Sequence, residues 1–386
     1  MTHLAPSSLD SGLRTLLRAL PPRPVLDTAI TVDAAALRSA ERSARLPIAV
    51  QSPALQRAPA ARAALAALLE HGAALLRSRG AAIDAAPLTD RDRDALVALY
   101  IVYGRPAVPV RNDQLQRIPV GWELLDGWRD PIQGALPSLG RIELRAPDGR
   151  RAPIGTGFLV APELVMTARH VADDLRPEGA PPPRPGERID PAVGAQIDWR
   201  AEADNPDAFA RFRIVELTWA HPEEDVALLR LSREGAEPAH ARMPLPLPLC
   251  SAAPAQLDGA LVFTGGYPVG GGEGALSWQR LQDIFPGVLG TKRLQPGKLL
   301  APAWSAHRLQ HDCSTLGGSS GAPLFLLERH RPLVIGVHVA GAPFTANLAA
   351  PTWRMRDALP RELLHTGAPG HGGIGFAPDP LGAGGA

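Results

Sequence analysis

The chain has 386 residues, of which 45% are apolar, and its 40 Lys and Arg residues balance 39 Asp and Glu to give a net charge of +1. At roughly 150 residues per domain, this length predicts two or three domains with enough apolar material for a core. The balanced charge excludes a global attraction to nucleic acid or to an anionic membrane, and no local basic patch replaces it, so neither is expected as a partner.

No run of 18 apolar residues occurs, so no membrane-spanning helix is predicted. The only apolar stretch near the N-terminus contains Arg14 and Arg18, which leaves no region suited to a secretory signal, and a cytoplasmic location is expected. Two cysteines, Cys250 and Cys313, exclude a disulfide-rich scaffold but leave one bridge open.

Residues 1–103 are rich in Ala, Leu and Arg at helical spacing and predict a small α-helical module. Leucines from position 65 to position 76 form an apolar stripe on a segment that begins near Pro59. A further helix is predicted to begin at Thr89, because Asp92 follows three residues later in the manner of a capping box. Residues 104–137 contain five prolines and are predicted to form a connector.

From residue 138 to residue 365, short apolar runs alternate with Gly and Pro, which favours many short strands in a barrel or sandwich. Residues 366–386 are rich in Gly and are predicted to be a disordered tail. The predicted strands cover residues 155–160, 164–167, 212–219, 226–231, 260–264, 322–327 and 333–339.

Three motifs in the β-rich half carry side chains suited to nucleophilic catalysis. Residues 316–325 have the sequence LGGSSGAPLF, in which small neighbours allow Ser320 to lie on a tight turn with backbone N–H groups aimed at one point. Residues 164–171, LVMTARHV, place His170 at the end of an apolar hairpin. Residues 221–229, HPEEDVALL, place Asp225 at the head of a buried-type strand, where a carboxylate needs a partner.

These residues follow the chain order His, Asp, Ser, and residues 138–345 resemble the chymotrypsin-like (trypsin-like) serine peptidases. The resemblance implies a mainly β fold, a chymotrypsin-like double β-barrel preceded by the helical module, with the active site between the barrels. It implies that Ser320 is the nucleophile, His170 the general base and acid, and Asp225 the group that orients the imidazolium. The backbone N–H groups of Gly318 and Ser320 would form the oxyanion hole. Neither a metal nor a cofactor is expected.

Position 319 is Ser, whereas secreted digestive members of the family have an Asp there that pairs with a new N-terminal amine after cleavage. This switch is absent. The intact chain is therefore predicted to be catalytically competent or gated by its helical module.

The substrate preference follows from a closer resemblance to the glutamyl endopeptidase subgroup. Thr315, five positions before the nucleophile, and His338 on the following strand match residues that line the primary specificity pocket there. Because position 314 is Ser rather than an acid, cleavage after Arg or Lys is disfavoured. Cleavage after Glu, or after Asp or Gln, is predicted, and the backbone from Val339 to Gly341 is expected to pair with the substrate. His338 as a satisfied core histidine is the alternative.

Other interpretations of the same residues stay open. His307, His311, Asp312 and Cys313 carry zinc-ligand types at short spacing, whereas Cys313 as a thiol nucleophile has the wrong spacing from residues 321–323. The sequence also allows a catalytically silent or partner-gated peptide-binding module in the same cleft, or a peptidase that cleaves only itself. The helical module either recruits a regulatory protein partner or is a packing extension of the barrels.

Overall fold

The structure is a computed structural model that describes most of residues 107–377. The gaps are residues 117, 119–122, 146–147, 178, 204–207, 254–256, 258–259, 270–284, 286, 306–307, 329–330, 342–346 and 365–371. Of the predicted helical module, 1–103, only His71, Ala74, Thr89 and Asp92 are described, and most of the predicted tail also lies outside the described residues.

The helix start predicted at Thr89 is confirmed by a reciprocal pair of hydrogen bonds. The backbone N–H of Thr89 donates to Oδ2 of Asp92 at 3.0 Å, and the backbone N–H of Asp92 donates to Oγ1 of Thr89 at 3.2 Å. These two contacts are those of a capping box, in which two side chains satisfy N–H groups that a helix start leaves unpaired.

β-Strands make up most of the regular secondary structure between residues 107 and 377, with a few short helices between them. The α-helices are α1 (Arg129–Ala135), α2 (Arg169–Asp173) and α3 (Thr352–Arg356), and 3-10 turns span Glu123–Trp128, Leu136–Ser138, Pro191–Val193 and Arg361–Leu363. The strands are β1 (Val108–Arg111), β2 (Gln114–Leu115), β3 (Leu139–Arg145), β4 (Arg151–Ala161), β5 (Leu164–Thr167), β6 (Glu187–Arg188), β7 (Gln196–Asp198), β8 (Arg211–Ala220), β9 (Ala227–Glu237), β10 (Leu249–Cys250), β11 (Leu261–Gly266), β12 (Arg293–Ser305), β13 (Arg308–His311), β14 (Pro323–Glu328), β15 (Arg331–Gly341), β16 (Asn347–Pro351) and β17 (Phe376–Ala377).

Six strands close the first barrel in the order β8-β7-β3-β4-β5-β9, with β8 and β9 pairing to complete the ring. Strand β8 buries alternate residues on each side of a register shift after Ile214, and its buried apolar side chains are Phe212, Ile214, Leu217 and Trp219. Strand β5 is buried throughout and pairs with the start of β9, where Thr167 lies opposite Ala227. This pairing fixes the ends of two strands that carry predicted site residues.

The second barrel closes in the order β11-β14-β15-β16-β13-β12, with β11 and β12 pairing to complete it. Phe263 and Phe325, opposite each other on β11 and β14, stack with ring centroids 4.5 Å apart. Cys250 and Cys313, both buried in the apolar cluster of this barrel, carry thiols rather than a disulfide. The mainly β, double-barrel fold predicted from the sequence is therefore confirmed.

Short elements that pair or pack with the barrels lie within two segments that the sequence predicts as a connector and as a tail. Within the predicted connector, β1 pairs with β12 through Val108 and Leu294, and α1 buries Ile132. Within the tail predicted to be disordered, Phe376 pairs with Leu249. Both predictions rest on the proline and glycine content of these segments. That content does not reveal β1 and β17, which are only four and two residues long.

None of the described helices is both long and apolar enough to cross a membrane.

Candidate active site

His170 and Asp225 meet because they flank two paired strands. His170 lies in α2, which begins two residues after β5 ends, and Asp225 lies two residues before β9 begins. Since Thr167 and Ala227 are opposite each other at these strand ends, the chain leaves the sheet with His170 next to Asp225. Oδ2 of Asp225 lies 2.7 Å from Nδ1 of His170, and Oδ1 accepts the backbone N–H of His170 at 2.9 Å. The carboxylate thus holds both the ring and the backbone of the histidine.

The electrostatics of this pair follow from partial burial and from the hydrogen bond. Its side chains are 46% exposed for His170 and 27% exposed for Asp225. The hydrogen bond to Asp225 raises the pKa of His170 above its usual value, against a smaller opposing effect of burial. Burial acts to raise the pKa of Asp225, but the hydrogen bonds from the His170 side chain and backbone outweigh it and the pKa is lowered. Asp225 is therefore a carboxylate near neutral pH.

Ser320 lies on the tight turn between β13 and β14, and two glycines shape this turn. Gly318 has φ +87° and Gly321 has φ +86°, both in the left-handed region that favours glycine. A Cβ on Gly318 would meet the Tyr267 carbonyl oxygen, and one on Gly321 would meet the carbonyl of Thr156. The glycines predicted from the motif are therefore required by both backbone conformation and space.

From Gly318 to Gly321, every second backbone N–H group donates a hydrogen bond within the protein. Ser319 N–H donates to the carbonyl of Leu316 at 3.0 Å, and Gly321 N–H donates to the carbonyl of His338 at 2.8 Å. Within the part of the chain that the structure describes, the N–H groups of Gly318 and Ser320 donate to no other backbone or side-chain group. These are the two N–H groups that the sequence predicts for an oxyanion hole, and they remain available for a ligand.

The turn is attached to the strand end that carries His170. The carbonyl of Ser320 accepts the backbone N–H of Thr156 at 2.8 Å, and the carbonyl of Gly318 accepts the Thr156 hydroxyl at 2.7 Å. The Thr167 hydroxyl, three residues before His170, donates to the carbonyl of Thr156 at 2.7 Å. Thr156 therefore links the predicted nucleophile to the predicted base, a role that the sequence analysis missed because the motif around it contains no ionisable group.

The hydroxyl of Thr315, a residue predicted to line the primary specificity pocket, has a hydrogen-bond partner. The hydroxyl donates to Oδ1 of Asn347 at 2.7 Å, and Nδ2 of Asn347 donates to the carbonyl of Cys313 at 2.6 Å. Both Thr315 and Asn347 are buried. Asn347 was not singled out by the sequence, because 32 positions separate it from Thr315 and only the β13-β16 pairing brings them together.

His338 is brought beside a second histidine, His311, which the sequence had suggested only as a zinc ligand. Nε2 of His311 lies 3.3 Å from Nδ1 of His338, and the rings meet edge to face. Burial lowers the pKa of His311 to about 3. Burial, followed by the neighbouring His311 and His170, lowers the pKa of His338 well below its usual value. Both imidazoles are therefore neutral near pH 7.

The zinc alternative finds no support among the described side chains. These contain no group of three or more His, Cys, Asp and Glu residues arranged to hold a metal ion. His311 faces His338 instead, Cys313 is buried in the barrel core, and His307 lies outside the described residues.

The backbone beyond His338 runs along an edge next to the turn. Pairing of β15 with β14 ends at Val337, and pairing with β16 continues to Gly341 on the opposite side. From Val339 to Gly341, the side that faced β14 has no strand partner among the described residues. An extended peptide can add to such an edge by backbone hydrogen bonds.

The loop that carries Asp225 is held by residues that the sequence analysis did not assign. Nδ1 of His221 accepts the backbone N–H groups of Glu223 and Glu224, at 3.1 and 2.8 Å. The buried carboxylate of Glu224 accepts Nε of Arg354 at 3.0 Å and is also paired with Arg308. The two arginines belong to α3 and β13 beside the second barrel, so ion pairs between the barrels flank the Asp225 loop.

Comparison with known proteins agrees with the fold. Residues 155–337 match the family model of the trypsin-like peptidase domain. A probable serine protease of Lysobacter enzymogenes is 30% identical over 267 residues, which cover 61% of this chain and 67% of that relative. Together with the two closed barrels, these matches define a protein of the trypsin-like serine peptidase class. The chain belongs to the trypsin-like peptidase family.

Proposed function

We propose that the protein is a serine endopeptidase in which His170, Asp225 and Ser320 act as the catalytic triad. The observation that carries this proposal is the double hydrogen bond between Asp225 and His170, at a strand end that Thr156 connects to the turn of Ser320. A carboxylate that fixes Nδ1 leaves Nε2 of the imidazole as the position for proton exchange.

The reaction then follows the residues present. Oγ of Ser320 attacks the carbonyl carbon of the scissile bond while Nε2 of His170 takes the hydroxyl proton. The N–H groups of Gly318 and Ser320 stabilise the oxyanion, and collapse of the tetrahedral intermediate breaks the C–N bond as His170 gives the proton to the leaving amine. Water, deprotonated by His170, attacks the acyl-enzyme and releases the carboxylic acid and Ser320.

The proposed specificity is for a short polar side chain, Glu, Asp or Gln, before the scissile bond. Thr315 and His338 support this specificity, because both are buried residues with polar side chains. A pocket lined by such groups rejects substrates that leave those groups without a hydrogen-bond partner. The open edge from Val339 to Gly341 supports an extended binding mode for the substrate backbone.

The test is hydrolysis of peptides that differ only in the residue before the scissile bond: Glu, Asp, Gln, Arg, Phe and Ala. Wild-type protein is compared with Ser320→Ala and with Ser251→Ala, a matched change far along the chain from the turn. Cleavage that vanishes only in Ser320→Ala is expected. Labelling of Ser320 by a serine-reactive phosphonate separates an active site from a silent peptide-binding cleft, which would bind peptides without reacting.

We also propose that the intact chain needs no activating cleavage, since Ser319 lies where an Asp would receive a new N-terminal amine and its side chain is buried. The mass of the active protein measures this directly. An obligatory cut near residue 138 would contradict the proposal, and fragments that form only with Ser320 present would indicate self-cleavage.

A further inference from the structure

The polarity of Thr315 in the pocket is set by Asn347. Because the carbonyl of Cys313 can only accept, the atom that Asn347 directs toward it at 2.6 Å is the amide nitrogen. Its amide oxygen therefore faces Thr315, and an amide oxygen can only accept, so the Thr315 hydroxyl donates its hydrogen to Asn347 at 2.7 Å. Toward a substrate, Thr315 is left with lone pairs and acts as an acceptor.

The polarity of His338 is set by His311. In a neutral pair of imidazoles one ring donates to the other, and Nδ1 of His311 is buried without a hydrogen-bond partner among the described residues. A buried N–H without a partner is rarer than a buried lone pair without one, so the proton of His311 lies on Nε2 and is donated to Nδ1 of His338. His338 then carries its own proton on Nε2, which has no partner in the described part of the chain and is a donor for the substrate.

Charge complements this arrangement. Neither Thr315 nor Asn347 can carry a positive charge, and burial keeps His311 and His338 neutral. A carboxylate bound by these residues would meet one donor and the lone pairs of Thr315, and none of the four side chains carries a positive charge. A carboxamide would accept from His338 through its oxygen and donate to Thr315 through its nitrogen, so that all groups are paired.

We propose that the primary specificity pocket selects a carboxamide side chain, that of glutamine, over the carboxylate of glutamate. This inference rests on the proposed function, since it concerns the substrate of the same Ser320 site. Of the three side chains predicted before the scissile bond, Glu, Asp and Gln, only Gln fits the directions of two hydrogen bonds. These are the bond from Thr315 to Asn347 and the bond from His311 to His338.

The experiment measures kcat/KM at pH 7.5 for peptides that differ only by Gln or Glu before the scissile bond, with Asn and Asp peptides as length controls. The Gln peptide is expected to exceed the Glu peptide by about tenfold or more, because a donor and an acceptor must both be matched. A Glu peptide cleaved as well as or better than the Gln peptide overturns the proposal.

Two variants test the assigned polarity. Asn347→Leu frees the Thr315 hydroxyl to donate, and the ratio of Gln to Glu cleavage is expected to fall toward one. Thr315→Val removes the acceptor and should lower the ratio as well, whereas Thr315→Ser keeps the hydroxyl and should retain it. If Asn347→Leu does not fold, the Val and Ser variants decide, and an unchanged ratio in Thr315→Val overturns the proposal.

Failure of the proposed function gives a different result. If wild-type protein cleaves none of the peptides, the peptidase assignment fails, and the pocket is then tested by calorimetric titration of the Gln and Glu peptides into Ser320→Ala. Tighter binding of the Gln peptide supports the pocket assignment, and equal or tighter binding of the Glu peptide, or no binding of either, overturns it.

Discussion

The hydroxyl of Thr156 donates to the carbonyl oxygen of Gly318 at 2.7 Å, joining a strand of the first barrel to the turn that holds Ser320. The same hydroxyl accepts the backbone N–H of Tyr267 at 3.2 Å. The bond fixes the peptide plane between Gly318 and Ser319, which lies between the N–H groups of Gly318 and Ser320. Thr156 is thus a positioning residue for the N–H groups proposed to bind the oxyanion.

Thr156→Val keeps the shape of the side chain and removes this hydrogen bond. We expect kcat to fall by about tenfold with little change in KM, because the oxyanion is stabilised mainly in the transition state. Steady-state kinetics on the preferred peptide measure both constants. Thr218→Val, which removes a hydroxyl bonded only to Glu216 on β8, is the control. A rise in KM with kcat unchanged would contradict the assigned role.

Gly321→Ala tests the turn at its tightest point. The left-handed φ and the contact of a new Cβ with the Thr156 carbonyl are together expected to cost about 2–4 kcal/mol in the free energy of unfolding. Gly179→Ala is a matched control, because Gly179 has φ +75° but open space around its Cβ position, and only about 1 kcal/mol is expected there. Urea unfolding measures both, and equal losses would mean that crowding at Gly321 is unimportant.

The pKa of His170, raised by its hydrogen bond to Asp225, sets the acid limb of activity. Because the base must be neutral, kcat/KM should fall as pH drops through a value above 6.5. Asp225→Asn should move this limb to lower pH and reduce kcat by up to about 10⁴-fold. An acid limb that stays in place in Asp225→Asn would show that another group controls it.

His170 should also make the free energy of unfolding depend on pH, and this contribution should decrease as pH rises, whereas activity increases. A pKa raised in the folded state means that the folded protein binds the proton more tightly, so this contribution to stability is complete below pH 6.5 and is lost as pH rises through the raised pKa. Urea midpoints of wild type and His170→Ala between pH 5.5 and 8.5 measure it. Their difference should shrink as pH rises.

The buried pair His311 and His338 predicts loss of stability in acid. Because the pKa of His311 is about 3 in the folded protein and 6.5 for an unperturbed histidine, the unfolded chain binds an extra proton between these values. The free energy of unfolding should fall by about 1.4 kcal/mol per pH unit for each such histidine as pH decreases through this window. His311→Gln should lower the slope, whereas His240→Gln, at an exposed position, should leave it unchanged. An equal slope in all three proteins would contradict this reasoning.

The sequence predicted the site residues wherever a reactive side chain and the backbone features that position it lie within a few residues of each other. The turn around Ser320, the hairpin end at His170 and the strand head at Asp225 each have a local signature, and their order carries the family resemblance that implies the fold class. The Asn347 contact with Thr315 and the pairing of His311 with His338 depend on the order of β13, β16 and β15, which no local pattern specifies. Strand β12 was not predicted because Pro296 and Gly297 within it suggest a loop.

The ion pairs of Glu224 with Arg308 and Arg354 lie between the barrels, as do the hydrogen bonds of Thr156 to the Ser320 turn. These contacts do not depend on the exposed chain near His240 that leads from β9 to β10. A cut in that segment would leave the barrels joined, both by these contacts and by β1, which stays on the N-terminal piece and pairs with β12 of the second barrel.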